Sequence, residues 1–339
     1  MKQLAIAVDI GGTHTRAALI NSVGRILNRT RILTQPQLGL AAGLEEIASA
    51  IHTVIGTTPP EQISGIGVAT PGLVDPWQGI AFSPVNLPGW EDVRLKDVME
   101  SRFKCPTRVG NDANLAALGE YRFGAGRGSR NMIYLTISTG IGGGIINEGQ
   151  LVLGRRGFAG EVGHCTIDAN GPRCRCGNLG CLEAMASGSA LARDARAAIA
   201  DGQASLMLRL AGGDPNAIDG EIIAQAVVRG DDLAKRLVDR AGVYIGIAIV
   251  NLMYIFDTEL FVLGGGVSNL GDPLFAAIKR TVAERALPVA RQDVPIVPAA
   301  LGDDAGLLGA AALVFHPGVI VRRGQTQRRT TWRNRALTR

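Results

Sequence analysis

The 339 residues suffice for two domains, each with its own core, and 46% hydrophobic content, 4% aromatic content and 45 glycines suit an α/β chain rich in tight turns. The net charge of +5 sits at the C-terminal end: Arg322, Arg323, Arg328, Arg329, Arg333, Arg335 and Arg339 follow Gly318 without one acid, leaving 28 basic against 30 acidic residues before them. That balance excludes a basic nucleic-acid face on the folded part, and the last residues, with Trp332 as their one aromatic, read as a disordered, solvated tail.

In chain order, LAIAVDI over 4–10 predicts a strand, Gly11-Gly12-Thr13 a tight turn and 14–20 a returning strand. Gly24 turns this hairpin into a third strand over 26–33. A helix over about 40–55 and a buried strand over 63–69 follow. A short strand over 107–110 leads into a helix from Asp112 to Tyr121, marked by the periodicity of Leu115, Ala116, Ala117 and Leu118. The second half repeats the idea: a strand over 132–138, a glycine-rich turn over 140–144 and a resumed strand at Ile145-Ile146. Two such hairpins suggest a duplicated β-β-β-α-β unit. Ser187, Asp219 and Asp231 are expected to cap helices, the last ending near Phe256. A strand over 260–263 is broken by Gly264-Gly265-Gly266, and helices over 273–287 and 304–314 close the pattern. Alternating strands and helices predict α/β architecture with mixed sheets.

The domain boundary is expected inside the helix that starts at Asp112. Residues 1–115 would form a small domain joined by the final helix (about 303–316), 116–302 a large one, and 317–339 the basic tail. The first apolar run is interrupted by Asp9, so no secretory signal is expected. The longest uncharged stretch, 241–256, is shorter than the roughly 20 residues of a membrane helix and reads as a core helix. A cytoplasmic chain with no membrane contact is the expectation.

Five cysteines in such a chain point to metal or chemistry rather than disulfides. His164 lies just ahead of Cys174-Arg-Cys176-Gly-Asn-Leu-Gly-Cys181, and the glycines let such a loop wrap an ion. Three thiolates and one imidazole fill a tetrahedral Zn²⁺ shell with no position for water, so the metal would be structural and would place the acids Glu161 and Glu183 beside it. The rival reading is a set of scattered reduced thiols. Cys105 and Cys165 read as ordinary packing residues.

Glu161 and His164 are three apart and share one face of a turn. With Glu183 and the amide of Asn111 they make an array of hydrogen-bond partners suited to a sugar, and His164 has a second ring nitrogen to offer a substrate. Asn111-Asp112 sits where a strand meets a helix. Either residue there is an ordinary N-cap; the functional reading makes one the cap and Asp112 a base. The glycine clusters at 11–12, 140–144 and 264–266 are candidate anion cradles or plain tight turns. None matches a Walker A loop or a dinucleotide fingerprint. Asp9 beside one tip and Thr139 inside another favour phosphates with Mg²⁺.

These residues carry a resemblance. DIGGT at 9–13, Asn111-Asp112, STGIGGG at 138–144, the stretch from Gly163 to Glu183 and LGGGVS at 263–268 resemble the ROK family of repressors, open reading frames and sugar kinases, most of all its glucokinases. The resemblance spans about 4–314. It implies an actin-like ATPase (ribonuclease H-like) fold, two domains with mixed sheets around a central cleft, and ATP-dependent phosphorylation of glucose. It implies Asp112 as the base on the 6-hydroxyl, with Asn111, Glu161, His164, Glu183 and Gly72 holding the sugar. His164, Cys174, Cys176 and Cys181 would bind Zn²⁺. Gly11, Gly12, Thr13, Thr139 and Gly140 would cradle ATP phosphates, Gly265 and Gly266 would border the adenosine, and Asp9 would sit near Mg²⁺. Dimers or tetramers are common in the family. Many members carry lysine after DIGGT; His14 stands there in this chain and receives no role. N-acetylmannosamine kinases of the family tend to carry histidine where Glu161 stands, so Glu161 favours unmodified glucose, while fructose, N-acetylglucosamine and N-acetylmannosamine stay open as alternative substrates. A sugar-responsive repressor would need a DNA-binding domain ahead of the first strand, for which the three residues before Leu4 leave no room.

Overall fold

The structure, a computed structural model, describes residues 3–82 and 87–320. β1 (Leu4–Ile10), β2 (His14–Asn21) and β3 (Ile26–Leu33) form an antiparallel meander, and after α1 (Gly39–Ile55) β4 (Ile63–Thr70) returns parallel to β1. A small antiparallel sheet follows, made of β5 (Leu73–Asp75), β6 (Ile80–Phe82) and β7 (Val93–Arg94). Then come α2 (Leu95–Phe103) and β8 (Thr107–Asn111), which pairs in parallel with β4. α3 (Asp112–Phe123) leads into β9 (Met132–Ile137), β10 (Ile141–Asn147) and β11 (Gln150–Leu151). Next are α4 (Leu182–Ala186), α5 (Gly188–Ala200), α6 (Leu206–Leu210), α7 (Gly220–Val228), α8 (Asp232–Phe256) and β12 (Leu260–Gly264). The chain continues through α9 (Asp272–Arg285), α10 (Pro288–Arg291), β13 (Ile296–Pro298) and α11 (Ala305–Phe315).

Both large sheets have one strand order, β3-β2-β1-β4-β8 and β11-β10-β9-β12-β13. In each, a meander is extended by parallel strands, so the expected repeat is present in the topology. Burial on both faces explains why β1 and β4 read as continuous apolar runs rather than alternating ones. Ile6, Val8 and Ile10 pack into a core with Ile47, Ile51 and Met99 of α1 and α2. The opposite face carries Ala5, Ala7 and Ala69 against α11. Only small side chains fit there: a Cβ on Gly67 would lie 2.0 Å from the carbonyl oxygen of Ala310.

α8 has the length and hydropathy of a membrane span, as does the stretch Pro36–Ile55, but over half of its apolar window is buried in the second core, beside α9. Ser187, Asp219 and Asp231 all cap as expected, each side-chain oxygen accepting the N–H three residues on. The glycine turn is different from the expectation. The turn is only 138–140, and Gly142, Gly143 and Gly144 lie inside β10. They are glycine because α3 and the segment before Glu161 lie directly on that strand, where a Cβ on Gly144 would meet Ala117 Cβ at 2.4 Å. The small sheet β5-β6-β7 was not foreseen, since strands of two or three residues carry too little pattern. Cys165, expected to pack, is exposed at the end of the turn that presents His164. The arginine-rich tail from 321 lies outside the described residues.

Candidate active site

β8 runs into α3 without a loop, and Asn111 stands at the junction in extended conformation. Its Oδ1 accepts the Asn114 N–H at 3.0 Å, which is the N-cap bond, while its Nδ2 donates to Gly72 O at 3.1 Å and to Asp112 Oδ1 at 3.0 Å. The Ala113 N–H also donates to Asp112 Oδ1, at 2.8 Å. Capping therefore falls to Asn111, and Asp112 is oriented rather than consumed. Burial pushes its carboxyl up to about 7, with the charges of Asp9 and Glu161 adding to the rise and the Ala113 N–H opposing it. A carboxyl that titrates near neutrality is matched to proton transfer.

The turn Val162–His164 is preceded by Glu161, whose Oε2 lies 3.9 Å from His164 Nε2. Both side chains are reachable by a ligand, 39% and 38% exposed. Burial raises the Glu161 carboxyl, His164 opposes the rise and Glu183 adds to it. The other His164 ring nitrogen, Nδ1, is 3.7 Å from Cys174 Sγ, and Cys176 Sγ is 3.7 Å from Cys181 Sγ.

The donor atoms of His164, Cys174, Cys176 and Cys181 all lie within 4.8 Å of one another. A tetrahedron with metal–sulfur bonds of about 2.3 Å has edges of roughly 3.8 Å, so these residues fit a zinc ion in donor type and spacing. Burial raises the Cys174 thiol and pushes Cys181 up to about 12, a cost that a divalent cation reverses. Glu183 bridges this knot to the second hairpin. Its Oε1 accepts from Cys174 Sγ at 3.8 Å, and its Oε2 accepts the Ile141 N–H at 3.0 Å. A Cβ on Gly140 would sit 2.3 Å from Glu183 Oε2, so a larger residue there would displace this carboxylate.

At the β1–β2 tip the Gly11 N–H donates to His14 O at 2.9 Å, and Thr34 Oγ1 donates to Gly11 O at 2.8 Å. The N–H groups of Gly12 and Thr13 have no acceptor among the described residues, and neither do those of Thr139 and Gly140 at the β9–β10 tip. Backbone N–H groups left without an internal acceptor at a glycine turn are able to donate to an anion. Thr139 is exposed, and its carbonyl accepts the Ser189 N–H from the start of α5. Gly265 has φ +84° and packs on Ile137, where a Cβ would lie 2.4 Å from the carbonyl oxygen; Gly266 beside it faces open space. Asp9 is buried, its Oδ2 held at 2.7 Å by Arg16. Burial raises its carboxyl and Arg16 opposes that.

Asp112, Asn111 and Gly72 thus form one hydrogen-bonded group, while Glu161, His164, the cysteines and Glu183 lie together in a second cluster that Glu183 ties to Ile141. Asp9 meets Asp112 only as a charge, with no hydrogen bond between them among the described residues. Arg16 was missed by sequence reasoning, although a hairpin tip at 11–13 puts Asp9 opposite Arg16.

The ROK family model matches residues 5–316. The chain belongs to the ROK family. This ROK chain is 38% identical over 312 residues to a glucokinase from Halalkalibacterium halodurans, covering 91% of this chain and 94% of that protein. A glucokinase from Thermotoga maritima is 36% identical over 310 residues, covering 91% and 96%. The crystal structure of a ROK family glucokinase from Streptomyces griseus in complex with glucose and AMPPNP superposes with a TM-score of 0.80 at 36% identity, covering 91% of this chain and 98% of that one. With these neighbours, the mixed sheets of the ROK chain are those of the two-domain actin-like ATPase fold.

Proposed function

We propose that this chain is a glucokinase that transfers the γ-phosphoryl group of ATP to the 6-hydroxyl of glucose. The observation that carries the reading is Asp112: a carboxyl at the head of α3, oriented through Oδ1 and raised to about 7. The glucokinase relatives supply the substrate class. Asp112 accepts the proton of the attacking hydroxyl, help worth about 10²–10⁴-fold in rate. Glu161, His164, Glu183, Asn111 and Gly72 hold the remaining hydroxyls.

Gly11, Gly12, Thr13, Thr139 and Gly140 grip the phosphates through backbone N–H groups, with Gly265 and Gly266 beside the adenosine. Asp9, held through Oδ2 by Arg16, would sit near the Mg²⁺ that accompanies ATP. That ion supplies charge neutralisation at the transferring phosphoryl group. His164, Cys174, Cys176 and Cys181 hold a structural Zn²⁺ that fixes the loop between Glu161 and Glu183. Residues 1–115 with α11 form one lobe and 116–302 the other, and their closure on the sugar keeps water from the phosphoryl group. ATP chemistry and reduced cysteines match a cytoplasmic enzyme.

A coupled assay of ADP release over glucose, fructose, N-acetylglucosamine and N-acetylmannosamine tests the reading. The highest kcat/KM is expected for glucose. A higher value for another sugar replaces the substrate, and no ADP release with any of them sinks the kinase.

A further inference from the structure

We propose that Arg31, seated against His14, is the protein's cationic contact for the phosphate chain of the nucleotide. The inference rests on the phosphoryl-transfer reading above. A triphosphate brings several negative charges, yet none of Asp9, Gly11, Gly12, Thr13, Thr139 and Gly140 carries a positive one. Backbone donors bind such a group more weakly than a guanidinium, which matches phosphate geometry with paired N–H bonds.

Arg16 is near the first tip but committed. Its Nη2 holds Asp9 Oδ2 at 2.7 Å and its Nη1 donates to Asp303 O at 2.6 Å. Arg31 is different. Its Nη2 lies 3.0 Å from the ring nitrogens of His14, and it has no carboxylate partner among the described residues, whereas Arg29 on the same strand pairs with Asp304. His14 follows Thr13 directly, and the Thr34 N–H donates to Thr13 O at 2.9 Å, which ties the end of β3 to the tip. A guanidinium can only donate, and with His14 as its partner rather than a carboxylate it keeps its full positive charge beside the tip.

The ladder adds an independent argument. Arg31 is the direct cross-strand partner of Arg16. Like charges in that relation destabilise a sheet, and Arg31 is exposed, so packing does not require it. Asp9 already offsets the Arg16 charge, so an anion beside the tip would answer the charge on Arg31, which has no carboxylate partner among the described residues.

The experiment compares wild type, Arg31→Ala, Arg31→Lys and Arg25→Ala, the last at the far end of the β2–β3 hairpin. KM for MgATP is measured at saturating glucose, and MgADP affinity by calorimetry, which needs no turnover. Loss of one charge-assisted contact predicts a rise in both constants of about 10-fold for Arg31→Ala, with KM for glucose changed by less than about twofold. Tm should not move. Arg31→Lys should recover most of the loss and Arg25→Ala should match wild type. Unchanged nucleotide constants in Arg31→Ala overturn the proposal, and so does an equal loss in Arg25→Ala, which would mark a general surface-charge effect. Wild type that binds MgADP in an Arg31-dependent way but phosphorylates no sugar sinks only the kinase reading. Wild type that binds no nucleotide sinks both.

Discussion

The β1–β2 hairpin of the first sheet and the β9–β10 hairpin of the second occupy matching places in one strand order, but their side chains have little in common. On the first, Asp9, Arg16 and His14 are joined by Arg31 from β3, so charge is concentrated at the tip. On the second, Gly142, Gly143 and Gly144 leave the strand almost bare, and α3 lies against it with Ala113 and Ala117. Asp112 heads that helix. The bare strand therefore lets α3, with Asp112 at its head, lie close against the second sheet, while the first hairpin carries its charge at the tip. Duplicating a backbone unit gives two glycine tips, and the side chains divide charge and close approach between them.

The comparison breaks first at Asp112. Asp112→Asn should retain glucose binding by calorimetry and lose about 10²–10⁴-fold in turnover, and a near wild-type rate would remove the base assignment. Next is the metal knot. Cys181→Ser, or exhaustive chelation, should lower Tm and abolish glucose binding, with one zinc per chain in the untreated protein by elemental analysis; a chain with no zinc and full activity would end that claim.

The bare strand is tested by Gly144→Val, which drives a side chain into Ala117 and should cost about 1–3 kcal/mol with reduced kcat. Gly220→Ala, where a Cβ meets nothing, should leave the denaturation midpoint in place. A valine at 144 tolerated without loss would show that α3 can sit farther out. Glu120 pins the other end of α3: fully buried, it accepts the N–H groups of Ala125, Ala300 and Leu301. Glu120→Gln turns a donor toward donors and should cost about 1–3 kcal/mol in urea unfolding.

The smallest effect is the pH profile. A base of pKa about 7 makes kcat/KM fall below neutrality and level off above it. The stability sign is the reverse: between 3.8 and about 7 the folded chain keeps a proton that the unfolded chain has released, so Asp112 lowers stability as pH rises through that window. Asp112→Asn should then melt higher than wild type at pH 8, and an equal or lower Tm would contradict the burial of that carboxyl.

Much of this was legible in the sequence because it depends on near neighbours along the chain. Period-two apolar runs mark β2 and the β1–β2 turn, polar residues before apolar periodicity mark the caps at Ser187, Asp219 and Asp231, and cysteine spacing marks a loop that can wrap a metal. The glycines at 142–144 were misread, since a glycine run signals a turn locally and a close helix–strand contact only when the packed helix is known.

What the sequence alone determined is which backbone elements form and which side chains are chemically able to act, because propensity, capping and donor type are local properties. Tertiary structure decided which of Asn111 and Asp112 caps α3, that Glu183 spans the cysteines and Ile141, and that Arg16 is committed to Asp9 while Arg31 is not. Those outcomes depend on distance and burial between segments far apart in the chain, and a raised carboxyl such as Asp112 exists only once folding has removed its water.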